Sequence, residues 1–167
     1  MIETDRLILR HWREDDAEDL YKYASDERVS RLALWPAHTS VDMSLEVIKS
    51  VFIPNRDLFA IIERITGEAV GCIGLVPEGM ENYPPADGER EAGYWIGYPL
   101  WNKGLTSEAL KAFIGYCRDT LHIKSLLITT DSLNIASQRV AAKCGFIHIA
   151  DYDHEGTPSK AFRLSLD

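Results

Sequence analysis

Gly93-Tyr94-Trp95-Ile96-Gly97-Tyr98-Pro99-Leu100-Trp101-Asn102-Lys103-Gly104-Leu105-Thr106-Ser107-Glu108-Ala109 reads as a strand that enters a helix through a short polar turn containing glycine. Such a turn can hold an anion. The N–H groups of a first helical turn have no intrahelical acceptors, and the helix dipole adds positive potential there, so a pyrophosphate can be bound without many basic side chains. Gly104 lets the backbone approach a ligand closely. The same residues also read as an ordinary helix start capped by Asn102 or Thr106, and taken alone the turn does not choose between the two. Two better-known phosphate cradles are excluded. Walker A needs Gly-Lys-Ser/Thr in that order, whereas the chain has Lys103-Gly104-Leu105-Thr106, and no GxGxxG occurs.

Working outward, the strand spans Glu91 to Tyr98 and the helix runs from about Lys103 to Thr120. On the N-terminal side, Pro77 to Arg90 lacks either hydrophobic period and is longer than an ordinary hairpin connection, which marks a functional loop. Leu58 to Arg64 and Ala69 to Val76 form a hairpin with Thr66-Gly67 as its turn. Ser40 to Phe52 and Glu14 to Ser25 read as helices, the latter with Ala17, Leu20, Tyr21 and Ala24 on one face, and Arg6 to Arg10 as a short strand. On the C-terminal side come a strand at Ser125 to Thr130 and a helix at Asn134 to Lys143 that Gly145 closes. Two short strands, Phe146 to Ala150 and Ala161 to Leu166, end the reading, with Tyr152 to Ser159 as a polar turn. The order is that of a mixed α/β sandwich in one domain, residues 1–167.

Composition narrows the function classes. A chain of 167 residues with 46% hydrophobic composition has enough material for one full-sized core. The N-terminal Glu3, Asp5 and Arg6 and the short apolar runs predict neither a signal peptide nor a membrane span, hence a cytoplasmic address. Cys72, Cys117 and Cys144 are odd in number and widely spaced, which predicts reduced core thiols and no metal site. The formal charge of -8 disfavours nucleic acid and suits cationic small molecules or basic peptides.

Trp101 to Thr106 sits where acetyltransferases of the GNAT superfamily carry their Gln/Arg-x-x-Gly-x-Gly/Ala pyrophosphate loop, with Asn102 and Thr106 replacing the usual small residues. Tyr94-Trp95-Ile96-Gly97 before it, Ser107-Glu108-Ala109 after it and the opening Glu3-Thr4-Asp5-Arg6-Leu7-Ile8-Leu9-Arg10 resemble the branch of Rim-type ribosomal-protein N-terminal acetyltransferases. Asn134-Ile135-Ala136-Ser137 and Lys143-Cys144-Gly145-Phe146 resemble that branch's Asn-x-x-Ser and Lys-x-Gly-Phe pattern. The resemblance implies a mostly antiparallel, twisted sheet of about seven strands flanked by about four helices and splayed at the acetyl-CoA site. It further implies that backbone groups of Ile96 and Tyr98 pair with the pantetheine arm. The amides around Asn102, Lys103, Gly104, Leu105, Thr106 and Ser107 would hold the pyrophosphate, and Asn134 the pantetheine region. Acetyl-CoA is then the co-substrate, with no metal, and homodimer formation stays open.

Acetyl transfer to an amine needs a neutral nucleophile, a polarised thioester carbonyl and a proton for the departing thiolate. Many GNAT enzymes supply that proton from a tyrosine two residues before the Lys-x-Gly-Phe element, where this chain has Ala141. Ser137 lies one helical turn earlier on the same face and is the first candidate acid, beside its reading as a plain first-turn residue. Glu91 is the candidate base, acting through water, with Glu89, Asp131 and His38 as competitors. A backbone N–H near Ile96 or Gly97 is expected to stabilise the carbonyl oxygen. Trp35, His38 and Tyr94, with the acidic loop from Glu78 to Glu91, are expected to shape the acceptor pocket. Three readings of the whole stand beside each other: acetylation of a peptide N-terminal amine, acetylation of a small amine such as an antibiotic, polyamine or amino acid, and a non-catalytic CoA-binding regulatory module. A hydrolase built on Cys144 has no partnering motif around it.

Overall fold

The computed structural model of the chain describes residues 1–33 and 35–167. The chain forms two compact units, Met1–Gly74 with Tyr94–Ala112, and Leu75–Gly93 with Phe113–Asp167. Among the described residues the strands are β1 (Ile2–Glu3), β2 (Leu7–His11), β3 (Leu58–Glu63), β4 (Ala69–Leu75), β5 (Glu89–Ile96), β6 (Ser125–Asp131), β7 (Ile147–His154) and β8 (Thr157–Ser165). The α-helices are α1 (Ala17–Ala24), α2 (Glu27–Ala33), α3 (Val41–Val47), α4 (Leu105–Asp119) and α5 (Ile135–Lys143). Hydrogen bonding orders the strands β1-β2-β3-β4-β5-β6-β8-β7. The expected counts of about seven strands and four helices thus become eight and five.

In the first unit β1, β2, β3 and β4 pair antiparallel in turn, and Gly97 N–H donates to the Val70 carbonyl at 2.8 Å, bringing the end of β5 alongside β4. The β3–β4 hairpin turns at Gly67, whose φ of 75° is the left-handed conformation that glycine adopts without a Cβ clash. The core gathers Leu20 and Ala24 of α1, Ile48, Ala60 and Ile62 of β3, Ala69 and Cys72 of β4, and Trp12, with Trp35 and Trp95 packed against it. Helix α1 buries Tyr23 in place of the expected Tyr21, because Tyr23 lies three residues after Leu20 on the core-facing stripe. Ser40 caps α3 by accepting from Met43 N–H, and beyond Val47 the chain continues helically in wider turns to Phe52, with Ile53 N–H on the Ile48 carbonyl at 2.8 Å. Helix α2 was not legible: Glu27–Ala33 buries only Val29 and Ser30, too few positions to show a period.

In the second unit β5 and β6 are parallel, with a register from Glu89↔Ser125 to Glu91↔Leu127, while β6 stays paired with β8 out to Asp131↔Ser159. The β7–β8 hairpin is longer than the sequence indicates. Tyr152 to His154 and Thr157 to Ser159, expected as a turn, are strand, and the reversal is confined to Glu155-Gly156, both at positive φ (49° and 90°). Two consecutive left-handed residues match the right-handed twist of a tight hairpin. Helix α5 ends at Gly145, whose φ is 90°. Cys72 and Cys117 are buried thiols and Cys144 is half-buried. Burial pushes the Cys72 thiol up to about 12.

Candidate active site

The turn that opens α4 belongs to the first unit. After β5, Gly97 lies against the ring of Tyr23, where a Cβ would stand 2.3 Å from a ring carbon, so this approach requires glycine. Pro99 sits in a single turn at Tyr98–Leu100, and Trp101 returns to extended backbone. Asn102 (φ 61°) and Gly104 (φ 76°) are then both left-handed, on either side of Lys103. Asparagine tolerates that conformation better than most side chains, which explains how it stands where the resembled loop has a glycine. At Gly104 the conformation, not space, excludes a side chain: a Cβ there would meet only Arg6 Nη2, at 3.6 Å. Glu108 N–H makes the first helical bond, to the Gly104 carbonyl at 3.1 Å, so the amides of Leu105, Thr106 and Ser107 precede the ladder. A 15-residue helix with its N-terminus at such a turn offers converging amides and a positive dipole end.

Other groups of this unit are already committed. The Ile96 carbonyl accepts Trp101 Nε1–H at 2.9 Å. Gly97 N–H is spent on Val70, so of the two amides expected near the thioester oxygen Gly97 is withdrawn. Alternation along the strand turns the backbone groups of Ile96 to the edge away from β4. Trp35, half-buried, packs edge-on against Trp95 with ring centroids 5.6 Å apart and equally close to His38. His38 is buried with Nδ1 2.7 Å from Ser44 Oγ, and burial lowers its pKa, so it is a neutral ring held inside the unit. Tyr94 is half-buried, and the exposed Tyr98 ring carries the Arg28 guanidinium at 3.4 Å.

In the second unit Glu91 is 2% exposed. Its Oε1 accepts Asn82 N–H at 2.7 Å, and its Oε2 accepts Asn82 Nδ2–H at 2.7 Å and Thr129 Oγ1–H at 2.9 Å. Burial raises its pKa and outweighs these donors. The carboxylate thereby fastens the loop between β4 and β5, and Tyr83 of that loop packs edge-on against Tyr152 at 5.0 Å. Glu89, expected as a competitor, is different: Arg163 Nε and Nη2 donate to it at 2.6 and 2.8 Å, Ser125 Oγ at 2.6 Å and Ala86 N–H at 3.0 Å. Burial works against its ionisation, but these donors prevail and hold its pKa below the usual value. Asp131 accepts Leu133 N–H at 2.8 Å in the turn before α5. Asn134 caps α5, its Oδ1 accepting Ser137 N–H at 3.1 Å. Ser137 and Ala141 follow on one face, with Ala141 fully buried.

Sequence reasoning missed two sets of partners. Thr4, Arg6 and Glu108 form one cluster around the α4 turn, and Asn82 and Thr129 hold Glu91. Thr4, Arg6 and Glu108 stand in the stretches that carry the resemblance, but only the fold joins residues about a hundred positions apart. Among the described residues no group of three or more His, Cys, Asp or Glu is placed to hold a metal ion, and no helix is long and apolar enough to cross a membrane.

A strand ending in a glycine-bearing turn at the head of a long helix, within a mostly antiparallel sheet, can hold the diphosphate of a cofactor. Residues 6–147 match the acetyltransferase (GNAT) domain family, and the chain belongs to it. It is an acetyl-CoA-dependent acetyltransferase. It is 28% identical over 147 residues to p20 of Bacillus licheniformis, an uncharacterized N-acetyltransferase, covering 86% of this chain and 80% of p20. A candidate ribosomal-protein-serine acetyltransferase from Vibrio cholerae superposes with a TM-score of 0.79 at 26% identity, covering 98% of this chain and 96% of that one. A GNAT-family acetyltransferase from Bacillus anthracis shares the fold with a TM-score of 0.83 at 20% identity, over 99% and 98% of the two chains.

Proposed function

We propose that the protein transfers the acetyl group of acetyl-CoA to a primary amine by direct attack, and that the acceptor is the N-terminal amine of a protein or peptide. The observation that carries the reading is the pair of left-handed residues, Asn102 and Gly104, at the head of α4. In this reading amides from Lys103 to Ser107 hold the pyrophosphate, backbone groups of Ile96 and Tyr98 take the pantetheine arm, the Ile96 carbonyl with the lone pair that Trp101 leaves it, and Asn134 contacts it too.

The amine nitrogen attacks the thioester carbonyl carbon, the C–N bond forms, the C–S bond breaks, and the ammonium proton is lost as the thiolate gains one. Ser137 donates a hydrogen bond to the departing thiolate, which as a mild base of pKa about 8.5 needs no stronger acid. Glu91, with its raised pKa, suits a base that works through water, although three donors already occupy its oxygens. An α-amine of pKa about 8 is roughly one-tenth neutral at pH 7, and a lysine amine of pKa about 10.4 under about a thousandth, so without a strong base the N-terminal amine is the easier nucleophile. The 26% identity to a candidate ribosomal-protein-serine acetyltransferase supports a protein as the acceptor.

The test is acetyl-CoA-dependent thiol release across N-terminal peptides, polyamines, aminoglycosides and amino acids, for wild type and Ser137→Ala. Turnover confined to peptides and reduced about fivefold by the substitution supports both assignments, a donated hydrogen bond being worth about 1 kcal/mol. Turnover on small amines alone rejects the peptide acceptor, and a rate unchanged in Ser137→Ala rejects the proton donor.

A further inference from the structure

Glu108 presents a difficulty for the turn described above, because a carboxylate in the first turn of α4 would repel the anion that the turn is read as holding. The surroundings of Glu108 answer it. Arg6 Nε donates to Oε1 at 2.8 Å, Arg6 N–H to Oε2 at 2.9 Å and Thr4 Oγ1–H to Oε2 at 2.5 Å. The same guanidinium donates through Nη1 to the Lys103 carbonyl at 2.9 Å. One side chain, from the turn between β1 and β2, therefore grips both the loop and the first turn of the helix.

We propose that Arg6 is the positioning residue of the pyrophosphate turn: it fixes the Lys103–Gly104 peptide and cancels the charge of Glu108. This rests on the reading of the turn as the pyrophosphate site. The Lys103 carbonyl and the Gly104 N–H belong to one planar trans peptide and point in opposite directions. Drawing the carbonyl onto Arg6 turns the Gly104 N–H to the opposite side. Asn102 and Gly104, on either side of Lys103, are left-handed, and α4 bonding begins only at Glu108, so the helix ladder does not itself fix this peptide. With Arg6 and Glu108 paired, the helix N-terminus keeps its dipole field without a net carboxylate beside it. Arg6 is half-exposed, its Nε and Nη1 are taken by Glu108 and the Lys103 carbonyl, and it is assigned no contact with the ligand.

Binding of coenzyme A and of pantetheine, which lacks the diphosphate, to the full chain separates positioning from a general loss of fold. Wild type is expected to bind coenzyme A more tightly than pantetheine. Arg6→Ala is expected to weaken coenzyme A about tenfold, about 1.4 kcal/mol, and to leave pantetheine within about twofold. Arg6→Lys keeps the charge but cannot reach both the carbonyl and the carboxylate, and falls between. Adding Glu108→Gln to Arg6→Ala removes the uncompensated charge and recovers part of the coenzyme A affinity, a rescue that a merely structural role would not give. Equal weakening of both ligands, or no change in either, in Arg6→Ala overturns the inference. Equal affinity of wild type for both ligands instead overturns the pyrophosphate reading itself, and the role of Arg6 with it.

Discussion

At Asn102 the backbone asks for a glycine-like conformation and receives the side chain that tolerates it best after glycine. Asn102→Gly should therefore retain acetyl-CoA affinity and thermal stability, whereas Asn102→Ala should lose about 1 kcal/mol of stability and bind acetyl-CoA more weakly. Calorimetric titration and melting curves on the two variants distinguish this from a role for the asparagine amide, in which both would lose affinity. Asn134 presents the converse case, because its cap on Ser137 N–H is on view and a ligand contact is proposed. Asn134→Ala should cost about 1 kcal/mol through the lost cap. Asn134→Asp keeps an acceptor at the cap, and should keep the stability while losing acetyl-CoA affinity if the side-chain amide donates to the pantetheine arm. Unchanged affinity in Asn134→Asp would leave the residue a cap alone.

Among the elements, β5 carries two neighbouring carboxylates of opposite pH behaviour. Glu91 has a raised pKa through burial, so its contribution to stability is full below the unfolded carboxylate pKa, about 4.3, and is lost as pH rises through its folded value. Glu89 has a lowered pKa, so its contribution is present above about 4.3 and is lost as pH falls through its folded value. The Glu89 carboxylate is fully buried, and Arg163 on β8 is its charge partner. Arg163→Ala should accordingly destabilise the protein by about 2–4 kcal/mol near neutral pH, since a buried charge is left unpaired. The gap from wild type should narrow as the pH falls below about 4, where protonation removes the charge. Denaturant melts at pH 7 and pH 3 read this directly, and a gap independent of pH would show that the guanidinium contributes packing instead.

On the scale of the whole molecule the formal charge of -8 acts on both substrates in opposite senses. Raising the ionic strength should raise KM for a cationic peptide acceptor and lower it for acetyl-CoA, because screening weakens attraction and repulsion alike. Steady-state kinetics at low and moderate salt test it; two constants moving together would place the substrates in locally similar fields. Much of the molecule was legible in the residue order. The hairpin at Gly67, the turn into α4 and the caps of α5 follow from local chemistry: a left-handed glycine, orphan amides and an Asx side chain act over a few residues. Such features also carried the resemblance to the GNAT superfamily, which the family match bears out at that level and not at the level of the Rim-type branch. Helix α2 and the full length of β7 and β8 were not legible, because few buried positions mark α2 and polar residues in paired strands read as turn. The site divides in the same way. Sequence determined which residues could bind an anion and lacked a tyrosine at Ala141, while the tertiary structure decided which candidates are already spent: Gly97 on Val70, His38 on Ser44, Glu89 on Arg163. It also decided that Arg6 meets Glu108, since a hydrogen bond senses distance in space and periodicity senses only distance along the chain.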